Sequence, residues 1–215
     1  TEHKDLQYAD APKGVSPWYL RLDLTVPTLD AGCAPPPVVL YVHGDSLANG
    51  DKGSESSGFL RSYVTGHGWA FAAINYQLVG DSAGLLTNSY PTQTENVISA
   101  IGWLGRNGAA KHVNGDRVAV VGSFGGGLLA AQVGAGSLPG GQVPQSVRCT
   151  ATFTVLGYDI SALVGKPVSA WWQPSMQTAF PDSSTWDAAS PLDRVLTSAS
   201  PLRWLLVIPQ SPPYI

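Results

Sequence analysis

Hydrophobic and polar positions along the 215-residue chain switch between two periods. In residues 19–26, Leu20, Leu22, Leu24 and Val26 are separated by Arg21, Asp23 and Thr25, the period-two pattern of a half-buried strand, here read as an outer antiparallel strand. Residues 38–42, 70–74, 118–121, 151–156 and 205–208 are short continuous apolar runs, the kind that fills strands covered on both faces. Between the second and third of these, Val97, Ile98, Ile101 and Leu104 recur at helical spacing behind Glu95, which suits the first turn of a helix. Alternation of strand and helix predicts an α/β domain with a mainly parallel central sheet, right-handed crossovers, helices on both faces, and ligand sites at the carboxyl ends of the strands. Residues 159–202 are rich in Pro, Ser and Trp and weakly periodic; they are read as an irregular insertion over the top edge of the sheet. With no repeat or second core pattern, residues 1–215 are expected to form one domain.

Composition narrows the function classes. Apolar residues make up 44% of the chain, enough for one sizeable core. Charged residues are sparse at 13%, the net charge is -3, and Lys and Arg are scattered; nucleic acid is therefore not an expected partner. No apolar run approaches the roughly 20 residues of a membrane-spanning helix, and residues 1–5 are too polar for a signal peptide, so a soluble chain is expected, secreted or cytoplasmic. A start at Thr1 and a single methionine, Met176, suit a processed product that has lost an export signal. Cys33 and Cys149 lack the paired spacing of a zinc site and are read as two unrelated thiols, with a single disulfide as the alternative in a secreted chain.

Two sharp turns follow apolar runs and carry the candidate chemistry. One is Val42-His43-Gly44-Asp45-Ser46; the other is Val121-Gly122-Ser123-Phe124-Gly125-Gly126-Gly127. Pro37-Val38-Val39-Leu40-Tyr41-Val42-His43-Gly44 followed by Asn49-Gly50-Asp51-Lys52-Gly53 resembles the oxyanion segment of esterases related to feruloyl and acetyl-xylan esterases and hormone-sensitive lipase. Asn75-Tyr76-Gln77-Leu78, Glu95-Asn96-Val97 with Ile101-Gly102-Trp103-Leu104, and Gly115-Asp116-Arg117-Val118-Ala119-Val120 are similar to further segments of that family, in the family's order. The resemblance runs from about Tyr8 to the last residue. It implies an α/β-hydrolase fold, C-terminally truncated, and serine-dependent acyl transfer without cofactor or metal.

In that chemistry a Ser on a strained strand-to-helix elbow attacks an ester carbonyl while a His takes its proton and an acid orients the His. Aligned on Gly122 and Gly126, the nucleophile position of G-x-S-x-G holds Phe124. Ser123 is the only local nucleophile and fits the motif only after a one-residue slip that puts Val121 where a glycine belongs; the plainer role is an elbow serine making a backbone hydrogen bond. The glycine-rich HGGGW-like oxyanion run that the resemblance implies stands here as His43-Gly44-Asp45-Ser46-Leu47, where Asp45 would set a carboxylate beside developing negative charge. The N–H groups of Gly44, Phe124 and Gly125 are the candidate oxyanion donors, and His43 is assigned to supporting the loop. Past residue 208 the expected triad Asp is replaced by Pro213, and the position of the triad His would fall beyond Ile215. His3, His67 and His112 match no triad position. Asp159 is read as structural, while Asp182 and Asp187 lie in the insertion without a helical frame. Trp171, Trp172 and Trp186 either stack on a sugar or aromatic ring or, the commoner use, pack the insertion. Gly125-Gly126-Gly127 has no P-loop lysine after it, which argues against a phosphate site.

The expected function is therefore that of a carboxylic ester hydrolase of esterase or lipase type. It acts on a small-molecule ester, with carbohydrate-linked acids included in the substrate class. The alternative is a catalytically inactive pseudoenzyme or fragment that keeps a binding role. Two structural expectations accompany it. The helix after the elbow begins near Gly126 and buries Leu128 and Leu129. Residues 205–208 form an edge strand that either pairs with a second copy as a homo-oligomer or is shielded by the insertion, with residues 211–215 as an extended tail.

Overall fold

A computed structural model describes residues 1–80, 88–138, 141–153, 157–165, 171–197 and 203–207. Its strands are β1 (Glu2–Gln7), β2 (Arg21–Thr25), β3 (Pro37–Val42), β4 (Ala70–Ile74), β5 (Asn114–Ser123), β6 (Val147–Phe153) and β7 (Arg203–Val207). They form one seven-stranded sheet in the order β1-β2-β4-β3-β5-β6-β7. β1 and β2 pair antiparallel, as do β2 and β4, and the remaining ladders are parallel. All five apolar runs thus supply parallel strands of one sheet, although residues 154–156 and 208 lie outside the described residues.

Two strand assignments need correction. The outer position expected for residues 19–26 belongs to β1, whose polar sequence carries no strand period. β1 is held by its ladder to β2, by the terminal ammonium donating to the Val26 carbonyl at 2.8 Å, and by ion pairs, none of which produces an apolar period. β6 begins at Val147 rather than near 151, because Thr150 and Thr152 are buried polar residues that mask its inward face.

The helices are α1 (Glu55–Gly66), α2 (Thr92–Asn107), α3 (Phe124–Ala135), α4 (Ile160–Val164), α5 (Gln173–Ala179), α6 (Trp186–Ala189) and α7 (Pro191–Thr197). Period two along β3 divides the core between both faces. Val38, Leu40 and Val42 enter the larger cluster with Val97, Ile101 and Leu104 of α2 and Leu128, Leu129 and Val133 of α3. Val39 and Tyr41 face the smaller cluster, closed by Leu60 and Val64 of α1. α3 begins at Phe124, ahead of the expected Gly126, and buries Leu128 and Leu129. Four short helices, α4 to α7, occupy the segment read as irregular. Among the described residues they leave β7 partly open, with Leu205 and Leu206 55% and 49% exposed, although Pro191, Leu192 and Val195 of α7 line one apolar pocket with Trp204 and Leu206. Residues 211–215 lie outside the described residues. Cys33 is an exposed free thiol, so the disulfide alternative is not realised. Among the described residues, no helix is long and apolar enough to cross a membrane.

Candidate active site

β3 and β5 run side by side, Val42 opposite Gly122, so the two candidate turns leave the sheet together at its carboxyl edge. The crossing of α3 over β3 is built from backbone. A Cβ on Gly126 would fall on the carbonyl oxygens of His43 and Val42, and a Cβ on Gly122 on the carbonyl oxygen of Gly126; only glycine admits that approach. Between them the chain turns at Phe124, whose φ of 48° lies in the left-handed region. For a residue with a Cβ this costs roughly 1–2 kcal/mol, the strain expected at an elbow apex. The strict glycine alignment therefore describes this elbow, with Phe124 at its tip and Ser123 as the last residue of β5.

The facing loop is strained as well. Asp45 and Leu47 have φ of 75° and 65°. The Asp45 carboxylate accepts the Ser46 N–H at 2.9 Å, while its carbonyl accepts the Gly125 N–H at 2.9 Å. The Gly125 amide, one of the three candidate oxyanion donors, is thus engaged within the protein. This contact depends on the left-handed turn at Asp45, which residue spacing does not encode.

His43 is buried. Its ring stacks on Tyr76 at 4.3 Å between centroids, and its Nδ1 lies 3.2 Å from the Gly44 carbonyl. The Tyr76 hydroxyl donates to the His43 carbonyl at 3.2 Å. Burial pushes the imidazole pKa down to about 4, so the ring is neutral near pH 7. These contacts make His43 a support of the loop. Lys52, next along the same loop, is tied down twice over: its N–H donates to Asn75 Oδ1 at 2.7 Å, and its ammonium pairs with Asp5 at 2.9 Å and Asp23 at 3.0 Å.

Ser123 Oγ lies 3.0 Å from the Tyr41 hydroxyl. A Cβ on Gly44 would stand 2.9 Å from the same Oγ, so the serine sits hard against the oxyanion loop. Ser123, Tyr41, Gly44, Asp45, Phe124 and Trp171 line a cleft of about 310 Å³. Tyr41 is the participant that motif reading missed, whereas Trp171 is one of the three tryptophans weighed for ring stacking. Tyr41 shares a sheet face with Ser123 through the period of two adjacent strands, a signal that becomes usable only once β3 and β5 are known to be neighbours.

A family model, BD-FAE, matches residues 22–140, which hold all but the first residue of β2, the whole of β3, β4 and β5, both turns and the whole of α3. The chain belongs to the BD-FAE family. No curated protein matches it. Among solved structures, it is similar to a bifunctional GH43-CE protein of Bacteroides eggerthii at 17% identity and TM-score 0.73, over 95% of this chain and 28% of that one. An inhibited esterase B from Lactobacillus rhamnosis follows at 17% identity and TM-score 0.72, over 91% and 62%. Esterase 2 of Thermogutta terrifontis, phosphonylated by sarin, is 15% identical with TM-score 0.69, over 94% and 71%. The chain thus spans between about a quarter and three quarters of the length of these proteins, and the likeness establishes the α/β-hydrolase fold.

The other acidic and basic candidates of this BD-FAE domain lie apart from the cleft or serve the fold. Asp159 caps α4 by accepting the Ala162 N–H at 3.1 Å, and Asp182 accepts both the N–H and the hydroxyl of Ser184. Asp187 sits in the first turn of α6. His67 Nδ1 lies 2.8 Å from the Tyr63 carbonyl on α1, His112 ends a 3-10 turn, and His3 lies on β1. Residues 209–213 are outside the described residues. Of the three tryptophans, Trp172 and Trp186 pack on the core, whereas Trp171 is 57% exposed and walls the cleft. Among the described residues, no cluster of His, Cys, Asp or Glu is placed to hold a metal ion.

Proposed function

We propose that the cleft binds carboxylic esters and cleaves them slowly by acyl transfer to Ser123 Oγ. The observation that carries this reading is the position of that oxygen, in the cleft at the carboxyl end of β5 and against Gly44 of the oxyanion loop. Oγ adds to the ester carbonyl carbon, its proton passes to cleft water, and the alcohol leaves after taking a proton from solvent. A second water then releases the acid. With the Gly125 N–H held by Asp45, the amides of Gly44 and Phe124 are the donors assigned to the oxyanion. Slow turnover follows because, among the described residues, Ser123 Oγ pairs with the Tyr41 phenol rather than an imidazole, and a serine without an imidazole base loses several powers of ten in rate. Membership of the BD-FAE family and the esterase neighbours support an ester substrate; the carbohydrate esterases among the neighbours support inclusion of carbohydrate-linked acids. The reading requires neither metal nor cofactor.

Binding without turnover is the second reading, and a specific observation favours it: the elbow apex presents the Phe124 ring, which has no nucleophilic atom. An alkyl fluorophosphonate separates the two. Labelling at Ser123, with slow p-nitrophenyl acetate hydrolysis abolished in Ser123→Ala, supports acyl transfer. An unlabelled protein with no turnover supports binding alone, and turnover that survives Ser123→Ala rejects the assignment.

A further inference from the structure

We propose that this cleft selects ligands carrying a cationic ammonium group and disfavours anionic ones. The inference rests on the cleft being the ligand site described above, and it does not depend on Ser123 turning substrate over. Asp45 is the one carboxylate or ammonium side chain lining the cleft among the described residues. It forms no ion pair with any of them, and its hydrogen bond goes to a neutral amide, the Ser46 N–H. His43, whose imidazole also lies in the lining, is kept neutral near pH 7 by burial and supplies no balancing charge.

Three aromatic residues, Tyr41, Phe124 and Trp171, line the same cleft. Aromatic faces attract cations through their quadrupole and do nothing comparable for anions. A cleft lined by one carboxylate and several rings suits an alkylammonium, whose methyl or methylene groups can pack on rings while its charge meets the acid. The protein uses the same combination internally: the Lys52 ammonium lies between Asp5 and Asp23 and 4.6 Å from the centre of the Trp18 ring. Asp45 also explains how an altered oxyanion loop gains a use. A carboxylate lining the same cleft as Ser123 opposes an anionic ligand, and it attracts a positive one by the same Coulombic term.

Choline and its neutral carbon isostere 3,3-dimethylbutan-1-ol test this by ligand-observed NMR titration on the full chain; both are alcohols without an ester bond, so hydrolysis does not enter. Choline should bind about tenfold more tightly than the isostere, and the preference should shrink as ionic strength rises. Asp45→Asn retains an acceptor for the Ser46 N–H and suits the left-handed backbone; in that variant the preference should fall to near unity. Equal affinities in the parent protein, a preference that survives Asp45→Asn, or no binding of choline at all would each overturn the proposal. Fluorophosphonate labelling of the unsubstituted protein reports separately on Ser123, so the two readings fail independently.

Discussion

At the base of the elbow Gly122 and Gly126 bring backbone onto backbone, whereas at its rim Phe124 and Asp45 stand where the esterase pattern has a serine and a glycine. The two regions are adjacent in space and answer to different constraints. A side chain at Gly126 would occupy the volume of two carbonyl oxygens on β3 and its following loop, so the fold itself requires glycine there. Phe124 and Asp45 line a cleft rather than a backbone crossing, and Asp45 is only half-buried. Retained glycines therefore report that α3 still crosses β3, and they carry no information about whether the rim still performs chemistry. Evidence on chemistry has to come from Ser123, Tyr41 and Asp45 themselves.

The sharpest way to break the comparison is to load each region separately. Gly126→Ala should destabilise the domain by about 4 kcal/mol, at the upper end of overpacking because its Cβ meets rigid backbone. That is a large part of the 5–15 kcal/mol typical of a domain. Gly105→Ala is the matching control, since nothing lies within 4 Å of a Cβ on that exposed turn of α2; it should gain up to about 1 kcal/mol from helix propensity. Urea unfolding monitored by circular dichroism measures both. If Gly126→Ala unfolds at the parent midpoint, the crossing is looser than described and the base of the elbow is not held by close approach.

A smaller effect is expected at His43, which joins base to rim. Burial lowers its folded pKa to about 4 from 6.5, so between those values the unfolded chain binds a proton that the folded protein excludes. The contribution is fully present above pH 6.5 and is lost as pH falls toward 4, by about 3 kcal/mol in total. His43→Gln should remove this portion of the acid sensitivity, read as the difference between stability-versus-pH curves of the two proteins. Parallel curves would mean that the imidazole is reached by water and that the loop is not locked on Tyr76.

How far all this could be read from the chain follows the same division. The parallel core strands were legible because apolar runs such as residues 38–42 and 70–74 must be buried on both faces, and the glycine spacing located the elbow with Phe124 at its tip. β1 was not legible: Glu2–Gln7 contains one large apolar residue, Leu6, and is fixed by main-chain pairing and by the Asp5–Lys52 ion pair. The Tyr41–Ser123 contact joins residues far apart in the sequence, and only the strand order brings them together. The engagement of Gly125 by the Asp45 carbonyl follows from a backbone φ that local sequence does not specify. Close approach leaves a mark in residue type, whereas hydrogen bonds made by backbone leave almost none.

The smallest expected effect completes the comparison. Asp45→Gly restores at the rim the residue of the family pattern, and two opposing terms then decide the outcome. Relief of the left-handed conformation at φ 75° favours glycine by about 1 kcal/mol or less, since Asp tolerates that region better than most residues. Against this, glycine enlarges the conformational freedom of the unfolded chain by roughly 0.4–1 kcal/mol, and the Ser46 N–H must replace its carboxylate acceptor with water. The terms nearly cancel, so the net change in unfolding free energy should stay within about 0.5 kcal/mol of zero. Denaturation curves for Asp45→Gly and Gly126→Ala, measured side by side, are the test. A loss above about 2 kcal/mol in Asp45→Gly would show that the carboxylate belongs to the scaffold as firmly as Gly126 does, and the distinction between a constrained base and a chemically permissive rim would no longer hold.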